Sequence, residues 1–183
     1  MRYLLVIIGA ILFAEPNLNA TLVKLSDLQT MAQKSDVVFH GHVGDQHVSY
    51  DKLGRLITLT DIEVIDNLYG TKNGQVVTMY QVGGELNGVV MPLLGGHSYR
   101  IGQEVILFGL ALKDNFVSFG PGQGKLDINQ GENKAQVTED LGNVSIMGPR
   151  DAAGVTIIEP DPLSFSSTEL LKDEIRLMLK NRR

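Results

Sequence analysis

Residues 116–128 read FVSFGPGQGKLDI, and this stretch decides how the rest of the chain is interpreted. Three glycines and a lysine lie between two apolar arms, as in a phosphate-binding loop or in a junction between strands. A phosphate loop of the G-x-x-x-x-G-K-[ST] type needs glycine where the chain has Phe119, and serine or threonine where it has Leu126. No helix is predicted to follow and direct its amide groups at a phosphate. The stretch is therefore predicted to be a bulged or sharply turned corner between strands, with Pro121 fixing the bend.

Runs of β-branched and apolar residues on both sides of this corner predict a mainly β fold. The predicted strands are VVFHGHV (37–43), RLITLTDIEVIDNLYG (55–70), GQVVTMYQV (74–82), EVILFGLAL (104–112), and a final pair made by FVSF and KLDI. EVILFGLAL is apolar on both faces, as expected of a strand that lines a barrel interior and is also covered outside. These successive strands, with turn glycines between them, predict a small closed or partly closed barrel.

Two amphipathic helices are predicted to flank the barrel. In LSDLQTMAQKSD, residues 25–36, apolar residues recur at helical spacing and Ser26 can cap the helix. In SFSSTELLKDEIRLMLKNRR, residues 164–183, Ser166 and Glu169 can form a capping box. The apolar face of this second helix is predicted to hold Leu170, Leu171, Ile175, Met178 and Leu179.

The first 20 residues are interpreted as a secretory signal peptide. Arg2 precedes the apolar run LLVIIGAILFA, and cleavage is expected after Ala20, with cleavage after Ala14 as the alternative. The run is shorter than the roughly 20 apolar residues that cross a bilayer, so no stable membrane span is expected after cleavage. The remaining chain is divided into a β-barrel (21–130), an extended connection with one or two short strands (131–162) and a C-terminal helix packed on the barrel (163–183).

Composition narrows the functional classes. The sequence has no cysteine, which excludes disulfides, thiolate zinc sites and cysteine catalysis. A secreted chain without disulfides fits a bacterial periplasm or cell exterior. The net charge is -5 and the terminal KNRR is the densest basic run, so the sequence lacks the basic face that nucleic-acid binding needs. We therefore expect a secreted or periplasmic protein with no nucleic-acid partner.

The segment GGELNGVVMPLLGGHSYRIG, residues 83–102, is predicted to be a long loop or irregular hairpin over one end of the barrel. Its six glycines and one proline are too many for a regular strand, whereas VVMPLL is too apolar for a disordered linker. Loops carried by a rigid scaffold are common binding sites. The candidate binding residues are Gly83, Gly84, Gly88, Gly95, Gly96 and His97. In the alternative interpretation, the loop plugs the barrel end with Val89, Val90, Leu93 and Leu94.

Two histidines are candidate metal ligands. His40 and His42 lie two apart on one face of a predicted strand, which is a usable ligand spacing, and the alternative is that they are simply exposed. No Asp or Glu stands at a spacing that completes a recognisable metal site. No serine lies in a G-x-S-x-G nucleophile elbow. We therefore predict no catalytic residue, no cofactor and no enzymatic activity.

Five segments together resemble a set of uncharacterised secreted bacterial proteins. The segments are SDVVFHGHV (35–43), LTDIEVIDNLYG (59–70), QVGGELNG (81–88), YRIGQEVILFGLAL (99–112) and FGPGQGKLDI (119–128). The same layout distantly resembles the netrin-like barrel of the tissue inhibitors of metalloproteinases, which implies a five-stranded OB-like barrel. Those inhibitors chelate zinc through an N-terminal cysteine, and this chain has none, so their mechanism does not transfer.

These features predict a binding module that recognises a protein partner, for example a protease. One alternative is a structural component of a cell-surface assembly, which would use the terminal helix or an exposed strand edge. A second alternative is a metal-dependent hydrolase built on His40 and His42.

Overall fold

The protein is represented by a computed structural model, which describes residues 21–93, 95–130, 135–141, 144–151, 154–158 and 162–182. The predicted signal peptide, residues 1–20, lies outside these ranges. The described strands are β1 (Thr21–Val23), β2 (Val37–Tyr50), β3 (Leu56–Tyr69), β4 (Val76–Val82), β5 (Gly84–Leu86), β6 (Val89–Met91), β7 (Glu104–Leu112), β8 (Asn115–Ser118), β9 (Lys125–Gln130), β10 (Ala135–Glu139), β11 (Val144–Asp151), β12 (Gly154–Ile158) and β13 (Ser164–Phe165). The described helices are α1 (Leu28–Lys34) and α2 (Thr168–Lys180).

Five strands pair into a closed ring. β7 pairs with β2, β2 with β3, and β3 with β4; β4 then pairs with β8, which returns to β7. The β4–β8 pair is parallel and the other four are antiparallel. β9, β10 and β13 continue the sheet outward from the first half of β7. The predicted mainly β fold with a C-terminal helix is confirmed.

β7, the strand EVILFGLAL, buries both of its faces, as the sequence predicts. Val105 and Leu107 belong to a core cluster that draws side chains from all five ring strands, so this cluster fills the ring. Ile106 and Phe108 belong to a second cluster that includes residues of α1, α2, β9 and β10. Since neighbouring strand residues point to opposite faces, one strand serves an inner core and an outer core.

The stretch FVSFGPGQGKLDI is a bulged interruption of one line of strand. Ser118 pairs with Gly109, and Lys125 pairs with Leu107, so β8 and β9 follow each other along β7. Residues 119–124 leave this ladder and return to it. The predicted bulged corner is confirmed. The expectation that FVSF and KLDI pair with each other is wrong, because β7 is the antiparallel partner of both.

Both ends of this bulge are held by one residue of β7. The Phe108 N–H donates to the Gly124 carbonyl at 2.8 Å, and the Phe108 carbonyl accepts from the Phe119 N–H at 2.9 Å. Gly124 has a φ of +88°, and an added Cβ would lie 2.8 Å from the Phe108 carbonyl oxygen. Only glycine closes the loop at this distance without strain.

Both helix caps differ by one residue from the predicted positions. Asp27, not Ser26, caps α1. The Ser26 N–H instead donates to the Gln123 side chain at 2.6 Å, which ties the start of the chain to the bulge. Ser167, not Ser166, caps α2. In each case the observed cap is the residue directly after the predicted one.

α2 packs a narrow apolar face against the outer core. Leu171 is 1% exposed and Ile175 is fully buried. Leu170, which was predicted on the same face, is 71% exposed. The predicted capping box is not formed, since Glu169 pairs with Lys172 at 2.7 Å.

An ion cluster fixes α2 to β3. Asp66 lies 2.9 Å from Lys172 Nζ and 2.7 Å from Arg176 Nη2. Burial by itself raises the pKa of Asp66, but these two cations outweigh it and hold the pKa below its ordinary value. The two cations therefore favour the ionised form of the carboxylate.

The connection after β9 contains more strand than the sequence predicts. β10, β11 and β12 make three strands where one or two were expected. β1 was not predicted and pairs in parallel with β11. Local patterns did not predict all of these strands, because their periodic apolar stretches are short.

Adjacent leucines of α2 provide a test of this packing. We expect Leu171→Ala to lower the free energy of unfolding by about 2–5 kcal/mol, because it leaves a cavity in the outer core. The matched control, Leu170→Ala, removes the same atoms from an exposed site and should change it by no more than about 0.5 kcal/mol. Urea unfolding measures both, and equal effects would contradict the observed orientation of α2.

Candidate functional site

The segment 83–102 forms a hairpin followed by a loop that returns to the ring. β5 and β6 pair in antiparallel fashion through a two-residue turn, Asn87–Gly88. The φ angles of these turn residues are +52° and +79°, the left-handed pair found in type I′ turns. The predicted hairpin is confirmed.

The tip of this hairpin exposes two valines. Val89 is 52% and Val90 is 65% exposed, so neither plugs the ring as the alternative interpretation supposed. Tyr99 is the residue of this segment that packs into the inner core. Leu93 is partly buried, and Leu94 lies outside the described residues.

The candidate binding glycines divide between the tip and the base of the hairpin. Gly88 is at the tip, where nothing lies within 4 Å of an added Cβ. The Gly83 carbonyl accepts a hydrogen bond from Thr58 Oγ1 at 2.8 Å. An added Cβ at Gly84 would lie 2.6 Å from Thr58 Oγ1. The first two glycines therefore fit the base closely against β3.

The second pair of glycines joins the return loop to the rest of the fold. The Gly95 carbonyl accepts from the Gly122 N–H of the bulge at 2.7 Å. An added Cβ at Gly96 would lie 2.5 Å from the Gln81 side-chain amide. These glycines permit close approach of the loop to β4 and to the bulge.

His97, the last candidate binding residue, is buried inside the protein. Its backbone carbonyl accepts from Gln81 Nε2 at 3.1 Å, and its Nε2 lies 2.9 Å from the Gln123 carbonyl oxygen. Because a carbonyl oxygen can only accept, His97 Nε2 carries a proton. Nδ1 then faces the Asp140 carboxylate at 3.5 Å. His97 thus anchors the segment.

Lys125, the lysine of GPGQGK, is buried between two carboxylates. It is 1% exposed, and its Nζ lies 2.5 Å from Asp127 Oδ1 and 2.9 Å from Asp140 Oδ2. The same ammonium lies 5.2 Å from the centre of the Tyr99 ring. Burial, followed by the charges of the two aspartates, raises the pKa of Tyr99. Desolvating an ammonium costs several kcal/mol unless opposite charges surround it, and here two carboxylates do so.

This ion cluster joins three parts of the chain that are distant in sequence. Lys125 and Asp127 lie on β9, Asp140 follows β10, and Tyr99 lies in the return loop. Sequence reasoning missed the cluster. The available signal was the alternation of KLDI, which places the lysine and the aspartate together on one strand face, but nothing local identifies Asp140 as the third member.

A third acid, Glu139, lies next to this cluster and is 6% exposed. Its Oε2 accepts from the Leu163 N–H at 3.4 Å, whereas its buried Oε1 has no hydrogen-bond partner among the described residues. Burial raises the pKa of Glu139, and the hydrogen bond from Leu163 offsets only part of that increase.

The two candidate metal ligands have different environments. His40 is buried and its Nε2 lies 3.1 Å from Glu104 Oε2, a partner that the sequence did not suggest. His42 is exposed. Within the described ranges, no group of three His, Asp or Glu side chains is arranged to hold a metal ion. Metal binding by these histidines stays a prediction.

A pocket of about 330 Å³ lies between the turn after β2 and the turn after β7. Its lining includes Leu53 and Leu112, both exposed, together with Arg55 and Tyr80. The side chains of Arg55 and Asp51 form an ion pair at 2.7 Å that stabilises the first turn. The pocket offers apolar surface next to fixed charges.

No protein-family profile matches the chain, and a search of curated proteins found no match either. Neither described helix is long and apolar enough to cross a membrane. The function is therefore inferred from the geometry of the site.

Replacing Lys125 tests whether the cluster of Lys125, Asp127 and Asp140 anchors the fold. We expect Lys125→Met to lower the free energy of unfolding by about 3–5 kcal/mol, because it removes the ammonium that lies between the carboxylates of Asp127 and Asp140. Lys72→Met, at an exposed site, is the matched control and should change it by no more than about 0.5 kcal/mol. Denaturant unfolding at neutral pH measures the free energy of unfolding of both variants. If Lys125→Met leaves this free energy unchanged, the cluster does not anchor the fold.

Glu139 should make stability depend on pH. A carboxyl whose pKa is higher in the folded protein binds protons more tightly there, so it lowers stability as the pH rises from the ordinary value of 4.5 through the folded value. Glu139→Gln cannot ionise. Its stability relative to the unmodified protein should therefore increase as the pH rises from about 4 to about 7. Urea unfolding across this range measures the difference, and a constant difference would be the contrary result.

Proposed function

We propose that the protein is a secreted or periplasmic, non-enzymatic binding module that recognises a protein partner through the β5–β6 hairpin. The observation that carries this proposal is the exposure of Val89 and Val90 at the tip of a hairpin whose base is held by buried contacts. Exposed apolar side chains with polar surroundings are typical of interaction sites. A hairpin that is already ordered loses little conformational entropy on binding, which favours affinity.

The strand order supports an OB-like barrel as the scaffold. Numbered along the chain, the five ring strands β2, β3, β4, β7 and β8 pair in the order 1-2-3-5-4 and close on strand 1. A five-stranded Greek-key barrel with this closure matches the OB-type architecture, in which the face of strands 2 and 3 and the loops between strands 1 and 2 and strands 4 and 5 bind the ligand. The pocket lies between these two loops, and the hairpin lies in the connection between strands 3 and 4.

The adjacent strand ends extend the proposed surface. The base of the hairpin packs against Val48 of β2 and Thr58 of β3. The turn that joins these two strands forms one wall of the pocket and includes Leu53, and Leu112 at the end of β7 lies in the opposite wall. The pocket suits an apolar side chain of the partner, for which Val89 and Val90 provide a second contact. A protease is one partner class that such a protruding hairpin fits.

The alternatives have less support. An assembly role for α2 would use Leu170 and Leu177, which are exposed, but the helix already packs its main apolar face on the outer core. A hydrolase built on His40 and His42 would need a third ligand or a general base, and His40 is already bonded to Glu104. Secretion rests on the signal-like sequence alone.

Substituting the tip valines tests the proposal. The double variant Val89→Ser, Val90→Ser should lose capture of the partner from an extract of the native organism, because it removes the apolar contact while keeping the hairpin backbone. The control Val76→Ser changes a valine that is 58% exposed on β4 and should capture normally. Quantitative mass spectrometry of the captured proteins is the measurement. Unchanged capture by the folded double variant would sink the proposal.

A further inference from the structure

The outer edge of β6 carries backbone groups that point away from β5. Leu86 and Val89 flank the two-residue turn Asn87–Gly88, so they form the hydrogen-bonded pair that closes the hairpin. Hydrogen-bonded and non-hydrogen-bonded pairs alternate along an antiparallel ladder. Glu85 and Val90 are therefore a non-hydrogen-bonded pair. It follows that the N–H and the C=O of Val90 are directed outward from the hairpin.

This edge is open over a short length. In the described part of the chain, β5 and β6 form a sheet of two strands, and the Val90 backbone bonds to no other segment. Pro92, which has no N–H, follows directly after β6 and limits the edge on that side. An unpaired strand edge is a template for another strand. Here it offers one donor and one acceptor on the same residue.

We propose that the protein partner supplies an extended segment that adds to this edge as a third strand, an inference that rests on the proposed function. The Val90 N–H donates to a backbone carbonyl of the partner, and the Val90 carbonyl accepts a backbone N–H from it. This two-bond exchange fixes the register of the added strand. Val89 and Val90 then contact partner side chains on the two faces of the enlarged sheet.

The charge of the hairpin determines the chemistry of the added segment. Glu85 is exposed and lies directly opposite Val90, on the same face. Strands are spaced about 4.8 Å apart, so the added strand lies about 10 Å from β5. A Lys or Arg side chain can cover Val90 with its apolar stem and bring its charge to Glu85. The net charge of -5 opposes a second copy of this chain at the same edge.

A selection experiment tests this mode of binding without a known partner. Random decapeptides displayed on phage are selected on the full chain, and the enriched peptides are synthesised and titrated by calorimetry. Strand addition predicts peptides that have Lys or Arg flanked by β-branched residues. Val90→Pro should weaken them by about tenfold or more, because it removes the donor that the partner uses. An edge strand whose N–H faces solvent accommodates proline, so the hairpin should remain.

Two matched variants and one modified probe separate the contribution of the backbone hydrogen bonds from those of the Val90 side chain and the Glu85 charge. Val90→Thr keeps the N–H and the branched side chain and should bind within about threefold of the unmodified protein. Glu85→Gln should weaken the basic peptides several-fold and leave neutral peptides unchanged. N-methylation of the peptide at the residue opposite Val90 should abolish binding, whereas N-methylation of either neighbour should be tolerated, because neighbouring amides point away from β6. This last result does not depend on the folding of any variant.

Each outcome supports or overturns the inference. Equal affinity for Val90→Pro and for the unmodified protein, tolerance of N-methylation at every position, or failure to enrich any peptide overturns strand addition. Loss of binding with Val89→Ser, Val90→Ser but not with Val90→Pro means that the hairpin binds through side chains, so the proposed function stands and the pairing fails. Equal binding by all of these variants contradicts both.

Discussion

A buried ammonium group must be neutralised where it lies, and this constraint on Lys125 organises the candidate site. Asp127 lies on the same strand as Lys125, two residues along it, whereas Asp140 follows β10 and reaches the lysine only when β10 pairs with β9. Tyr99 covers the ammonium and also fills the inner core. The contacts that satisfy the lysine therefore join β9 and the residue after β10 to the return path of the glycine-rich segment.

β7 buries both of its faces and so connects the two cores of the protein. Its inner residues join the ring core, and its outer residues join the core under α1 and α2. Because the bulge at 119–124 hydrogen-bonds to β7 at both ends and to Gly95, the return loop is held to the strand that both cores share. The base of the hairpin is held to β3 by the hydrogen bond from Thr58 to the Gly83 carbonyl. The exposed tip is then presented from a rigid base. A rigid base with an exposed apolar tip favours binding, because little conformational entropy is lost.

Local patterns located β3, β4 and β7 well and the partners of the strands poorly. The sequence pattern predicted β7 at its observed bounds, because a short continuous apolar run between glycine-rich segments indicates a buried strand. The bulge was recognised from its glycines and Pro121, but the pattern of FVSF and KLDI contains no information on the strand they pair with. Likewise, Val89 and Val90 were candidates to plug the ring on hydrophobicity alone. Tyr99 takes that place, because contacts with Lys125 and the inner core, which are remote in sequence, decide its burial.

The central claim is that the tip of the hairpin meets a protein partner. Site-specific photo-crosslinking tests it directly: a benzophenone amino acid is placed at Val90, or at the comparably exposed Val76 as a control, and the protein is irradiated in an extract of the native organism. We expect one protein to be crosslinked from position 90 and not from position 76. Crosslinking of the same proteins from both positions, or from position 76 alone, would contradict it.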